Sequence, residues 1–194
     1  MALFSKSLIL KIRRGAIGII PTDTLYGLVG LAQNKKTVAR IYDVKGRDDT
    51  KPFIILITSL SDLKTFEVEL DEKTHKKLNQ FWPGKISVIF SCQSKKLSYL
   101  HRGTNSLGFR LPNDRPLVSL IEETGPLVAP SANPTGLKPA KNIAEAKKYF
   151  GDTIDFFIDG GKLGDEASTI VEIVGKNVKI IRKGADFQKV EKVV

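Results

Sequence analysis

An α/β fold, one domain over residues 1–194, is the architecture this sequence predicts, on two observations. Short apolar runs of strand length alternate with stretches of helical period along the chain. Its 194 residues suit one large domain, and a composition of 41% hydrophobic and 27% charged residues, without a long Pro/Gly/Ser linker or a repeat, is ordinary for a globular protein.

The elements follow in order. Ala16-Ile17-Gly18-Ile19-Ile20 is short, apolar and rich in β-branched residues, so Ile17 to Ile20 is the first strand, and Pro21 ends its ladder by removing a backbone donor. A helix is expected from about Lys36 to Val44, a strand over Phe53 to Ile57, a helix from about Asp71 to Phe81, and a strand over Ile86 to Phe90. Leu107, Phe109 and Leu111 alternate strictly with Gly108 and Arg110, which makes Leu107 to Leu111 a strand. Asp114 caps a helix over Arg115 to Thr124, with Pro116 tolerated in the first turn and Gly125 ending it. Leu127 to Ala129 is a strand. Asn142-Ile143-Ala144-Glu145 fits a variant capping box, the carboxylate reaching back to the cap's amide, before Ala146 to Phe150 and a stop at Gly151. Ile154 to Ile158, Ile170 to Val174 and Val178 to Ile181 complete the strands. The last two form a hairpin around Gly175-Lys176-Asn177, the one pairing the pattern itself fixes.

Composition excludes several functions. Cys92, in an apolar strand, is the sole cysteine, and with only His75 and His101 the chain has no internal disulfide, no Cys/His cluster for zinc and no Ser/His/Asp or Cys/His arrangement for covalent catalysis. A reducing cytosol is the expected setting. Leu8-Ile9-Leu10 is too short for a signal core, and no apolar run approaches a membrane span. The net charge of +10 favours polyanionic ligands such as nucleotides or RNA. The lysine pairs lack the aromatic interleaving of a single-strand binding platform and suit a solvated face. Neither a Walker A motif nor a dinucleotide glycine fingerprint is present, so any nucleotide site is unconventional.

Six segments place polar groups at the ends of strands and helices or along a strand face. Pro21-Thr22-Asp23-Thr24-Leu25-Tyr26-Gly27-Leu28 follows the first strand; if extended, Thr22, Thr24 and Tyr26 share one face, whereas a hydroxyl-capped turn is the plain alternative. Lys45-Gly46-Arg47 follows a helix and, if extended, projects two cations to one side, which suits phosphate, although such a triplet is also ordinary helix-end surface. In Pro130-Ser131-Ala132-Asn133, Ser131 and Asn133 are spaced to face one way after a buried strand, with an Asx or Ser turn as the alternative. Ser106 and Arg110 stand roughly 13 Å apart on one face of a strand, across side-chain-free Gly108, with room between them for a small molecule. Ser168-Thr169 opens a strand, and Arg182-Lys183-Gly184 closes the last one.

Taken together and in order, these segments, with Trp82-Pro83-Gly84 and Arg110-Leu111-Pro112, resemble the YrdC family from Ile17 to Gly184, and the Lys-x-Arg plus Ser-x-Asn pairing is that family's signature. The resemblance implies a twisted, open, mixed sheet with flanking helices, shared with a riboflavin-pathway synthase. It implies a threonylcarbamoyl-AMP synthase, a nucleotidyltransferase that uses ATP, L-threonine and bicarbonate and releases pyrophosphate. The product serves threonylcarbamoyladenosine modification of tRNA beside the anticodon. It assigns Thr22, Arg110 and Ser168 to threonine and Lys45, Arg47, Ser106, Ser131, Asn133 and Arg182 to ATP. Lys45 and Arg47 then offset charge at the α-phosphate and the departing pyrophosphate. Magnesium (Mg2+) arrives with ATP and takes no protein ligand. Contact with tRNA and with downstream threonylcarbamoyl transferase proteins is a further expectation, as is a short, cytoplasmic form ending after Arg182 without an extra C-terminal domain. Two other readings compete: an RNA-binding module, marked by salt-dependent RNA affinity without ATP turnover, and a YrdC-like paralogue with another nucleotide-dependent role.

Overall fold

A computed structural model describes residues 4–47, 51–174 and 177–193. Its strands are β1 (Gly18–Ile20), β2 (Gly27–Leu31), β3 (Ile54–Leu56), β4 (Ile86–Ser91), β5 (Ser106–Arg110), β6 (Leu127–Val128), β7 (Phe156–Phe157), β8 (Thr169–Val174) and β9 (Asn177–Arg182). They form one nine-stranded sheet in the order β7-β1-β2-β6-β3-β5-β4-β8-β9. The pairs β1·β7, β3·β5 and β4·β8 are parallel and the others antiparallel, so the sheet is mixed, as expected. The helices are α1 (Lys6–Arg13), α2 (Lys35–Lys45), α3 (Glu72–Phe81), α4 (Ser98–His101), α5 (Arg115–Thr124), α6 (Ile143–Phe150) and α7 (Phe187–Glu191).

Two-residue periodicity sends alternate strand side chains to two cores. Ile19, Leu28, Ile55 and Val128 join Val38 and Ile41 of α2, Phe81 of α3 and Phe150 of α6 on one face. Ile20, Val29, Leu56 and Leu127 join Leu8 and Ile12 of α1 and Leu117 and Leu120 of α5 on the other. Both faces are thus covered, which is why most central strands read as unbroken apolar runs.

The expected strands all occur, within a residue or two. β2 was not anticipated: its Gly27-Leu28-Val29-Gly30 is buried throughout and pairs antiparallel with β1, so Thr22 to Tyr26 is the connection of a β1–β2 hairpin. The short α1 was also unforeseen; Ser5 caps it by accepting from Leu8 N at 3.2 Å, and Leu8 and Ile12, four residues apart, are its buried stripe. Asp114 caps α5 through Leu117 N at 2.9 Å. Asn142 caps α6 through Glu145 N at 2.9 Å, but the Glu145 carboxylate accepts from Lys141 N, one residue before the cap, at 2.9 Å. β8 and β9 pair as the expected hairpin, Val174 opposite Asn177, and the anticipated turn residues Gly175 and Lys176 lie outside the described residues.

Candidate functional site

The β1–β2 connection, the end of α2, the loop after β6 and the ends of β5 and β9 surround a cavity of about 220 Å³. Thr22, Arg47, Arg110, Ser131, Ser168 and Arg182 all line it, so six side chains singled out in the sequence meet in one place. A larger hollow of about 940 Å³, lined by residues from Leu60 to His75, gathers none of them.

The β1–β2 connection is a bend, not the extended stretch considered from sequence. Thr22 Oγ1 donates to Leu25 O at 2.7 Å and accepts from Thr24 N at 3.2 Å, the hydroxyl-stabilised turn of the plain alternative. Thr24 Oγ1 lies 3.1 Å from Thr22 Oγ1. A carbonyl only accepts, so the Thr22 proton is committed to Leu25 and Thr24 must donate to Thr22. The Thr24 hydroxyl therefore keeps its lone pairs, in the cavity wall. Thr22, expected to bind ligand, spends its hydroxyl on the turn, and Thr24 is the group left to accept from a ligand. Tyr26 is in the cavity lining, and its hydroxyl accepts from Gly160 N at 2.8 Å and donates to Gly161 O at 2.7 Å.

Lys45, Gly46 and Arg47 are not extended either. Lys45 is the last residue of α2, and Gly46, at φ 57°, is the left-handed residue that ends the helix. The two cations consequently diverge. Arg47 reaches the cavity wall, its guanidinium 5.4 Å from the Phe53 ring, which itself stacks on Tyr42 with centroids 4.0 Å apart. Lys45 is 2% exposed, and its ammonium donates to Ser131 O and Asn133 O, each at 2.6 Å, and to Asn133 Oδ1 at 3.2 Å. Burial first, and the Arg47 charge second, pull the Lys45 ammonium down to about 7. Asn133 is occupied as well: Oδ1 accepts from Ser131 Oγ at 2.6 Å, and Nδ2 donates to Leu137 O at 2.7 Å and Pro134 O at 3.0 Å.

At the end of β5, Arg110 Nη2 donates to Asp23 Oδ1 at 2.9 Å, with the side chains 7% and 4% exposed. Asp23 Oδ2 and Arg110 Nε have no hydrogen-bond partner among the described residues. Burial raises the Asp23 carboxyl despite the arginine, and burial likewise lowers the Arg110 guanidinium. Arg182, at the end of β9, donates to Ser168 O at 2.7 Å, and Ser168 Oγ sits 2.9 Å from Ser87 Oγ. Its proton affinity is lowered by burial, then by the charges of Arg110 and Arg47. Three guanidiniums thus act on one cavity with no carboxylate among the described residues of its wall and with Asp23 behind it, an arrangement suited to anionic ligands.

Ser106 is not brought into this group. It lies at the opposite end of β5 from Arg110, 3.1 Å from Thr104 Oγ1, outside the cavity lining. The room expected over Gly108 is filled, because a Cβ built there would sit 2.6 Å from Ile54 Cδ1 on neighbouring β3. Sequence reasoning also left Asp23 unassigned and missed the apolar wall of Pro52, Phe53, Pro139 and Ala167. The Pro130-Ser131 and Ser168-Thr169 signals were visible as polar residues at strand ends; the apolar wall carried no signal beyond ordinary core composition. No group of three or more His, Cys, Asp or Glu that could hold a metal occurs among the described residues.

The Sua5/YciO/YrdC family model, described as "Telomere recombination", matches residues 11–184. Threonylcarbamoyl-AMP synthases of Bacillus subtilis and Pyrococcus abyssi are 31% and 32% identical, each over 94% of this chain but 54% and 55% of their own length. The chain spans about half the length of these curated relatives. The crystal structure of P. abyssi Sua5 complexed with L-threonine superimposes with a TM-score of 0.87 at 29% identity, covering 96% of this chain and 56% of that one. E. coli YciO shares the fold, with a TM-score of 0.82 at 23% identity over 94% of this chain and 90% of its own. No helix among the described residues is long and apolar enough to cross a membrane. With the family match spanning most of its length and a sheet, helices and cavity to accompany it, the chain belongs to the Sua5/YciO/YrdC family.

Proposed function

We propose that this chain is a threonylcarbamoyl-AMP synthase, a nucleotidyltransferase that joins L-threonine, bicarbonate and ATP into L-threonylcarbamoyl adenylate and releases pyrophosphate. The observation that carries the reading is the convergence of Arg47, Arg110 and Arg182 on a cavity whose wall also holds Thr24, Ser131 and Ser168. An amino acid and a nucleotide both present anions, and planar guanidiniums bind carboxylate and phosphate oxygens in pairs.

Arg110 takes the threonine carboxylate, beside Ser168. Thr24, left with lone pairs, accepts from the threonine ammonium or hydroxyl, and Thr22 shapes the turn that presents it. Arg47 and Arg182 face the triphosphate, with Ser131 in the intervening wall. The expected ATP contacts Ser106 and Asn133 lie outside the cavity lining, and Asn133 acts by ordering its loop.

The chemistry needs no enzyme nucleophile. The threonine amine adds to the carbon of bicarbonate, losing water to give a carbamate. A carbamate oxygen then attacks the α-phosphorus of ATP, and the bond to the β-phosphate's bridging oxygen breaks to release pyrophosphate. Holding the two anions in line and offsetting the charge on the departing pyrophosphate are what Arg47 and Arg182 contribute. Magnesium enters as part of the MgATP substrate. The adenylate serves tRNA modification beside the anticodon, passing to a separate threonylcarbamoyl transferase, and direct tRNA contact falls to the basic surface.

Incubation with MgATP, threonine and 13C-bicarbonate tests this. Mass spectrometry is expected to find the threonylcarbamoyl adenylate carrying one 13C. Turnover of ATP without that labelled product would overturn the assignment.

A further inference from the structure

Lys45 grips the loop after β6 at three points. Its ammonium has three N–H donors, and all three are spent, on Ser131 O, Asn133 O and Asn133 Oδ1. Its own main-chain carbonyl accepts from Thr135 N at 2.9 Å. Asn133 Oδ1 also receives Ser131 Oγ, so one ammonium and one amide fix the side chain and the main chain of Ser131 together. On its other side the loop is tied to β2 and its approach, by Leu28 N to Pro130 O and Ala132 N to Tyr26 O, each at 2.8 Å. Ser131 lines the cavity and Lys45 does not.

Turning the ammonium towards a phosphate would abandon these acceptors and take its donor from the buried Asn133 carbonyl, although Ser131 O would still accept from Asn133 N at 2.9 Å. Unpaired buried carbonyls are costly, whereas Arg47, two residues on, already reaches the cavity. We propose that Lys45 is a positioning residue: it holds the Ser131–Asn133 loop in the register that forms the nucleotide side of the cavity, and it does not touch the phosphates. This inference rests on the nucleotide site proposed above.

The test compares wild type with Lys45→Met, using calorimetric affinities for AMP, ADP and ATP and hydrogen exchange at the amides of Ala132, Asn133, Thr135 and Leu137. A pin predicts that all three nucleotides lose affinity by a common factor, about tenfold and equal to within about threefold, while the loop amides exchange faster. A loss that grows with each added phosphate, with loop exchange unchanged, overturns the role and leaves the nucleotide site standing. No binding of any nucleotide by wild type overturns the site and the role together. Should Lys45→Met fail to fold, a crystal structure of the wild-type chain with a non-hydrolysable ATP analogue decides the matter. Retention of the Ser131 and Asn133 carbonyls by the ammonium supports the role, and a direct bond to a phosphate oxygen contradicts it.

Discussion

The buried Asp23–Arg110 pair offers the sharpest energetic test of the site. Nη2 and Oδ1 are 2.9 Å apart, and both side chains are almost wholly removed from solvent. Two unit charges about 3 Å apart attract by about 5 kcal/mol at an effective dielectric of about 20, against a desolvation cost of similar size. The net worth of the pair is therefore small, but removing one partner strands the other. Asp23→Ala leaves an uncompensated guanidinium and should cost about 3–5 kcal/mol of stability. Arg110→Met leaves a carboxylate that burial already pushes upwards, so it escapes by taking a proton and costs less. Asp23→Ala/Arg110→Met leaves no charge and should be more stable than Asp23→Ala alone. Urea unfolding of the four proteins closes the cycle, with an expected coupling energy of about 2 kcal/mol or more. A coupling below about 0.5 kcal/mol, or a double variant no more stable than Asp23→Ala, would refute the reasoning.

Other outcomes are expected. Thr24→Val should weaken threonine binding by about tenfold in calorimetry with little change in stability, whereas Thr22→Val should lose about 1–3 kcal/mol in urea because its turn hydrogen bonds disappear. The reverse ranking would return the ligand role to Thr22. Gly108→Ala should displace Ile54 towards the cavity, since the new Cβ would lie 2.6 Å from a flexible side-chain end. A few-fold fall in ligand affinity is expected, with a stability loss of about 1–3 kcal/mol at most. Lys45 titrates at about 7 in the fold against an ordinary 10.5, so between these values the unfolded chain holds the extra proton and the contribution of this group to stability rises with pH. Urea unfolding followed from pH 7 to 10 should therefore show a rise in stability that is lost in Lys45→Met. An equal rise in the variant would exclude Lys45 as its source.

How far the molecule was legible in its sequence follows from the range of the interactions involved. β1, β4 and β5 announce themselves through β-branched runs and alternation, and α5 and α6 through side-chain caps that act within a few residues. β2 does not, because Gly27 and Gly30 dilute its apolar pattern and its polar preamble reads as a ligand loop. The strand-end polar motifs converge in the fold, where six of the nine proposed side chains line one cavity. Direction was harder. Lys45 turns inward for carbonyls 86 and 88 residues away, and Arg110 is held by a carboxylate 87 residues earlier. The space over Gly108 closes because β3 lies beside β5 in parallel, a pairing that no local pattern states.

The central claim is that three substrates meet at this cavity before pyrophosphate leaves. Pyrophosphate release by the wild-type chain, measured with threonine, bicarbonate and ATP omitted in turn, tests it most directly. Release is expected only when all three are present. Release that continues at an undiminished rate without threonine would contradict the account.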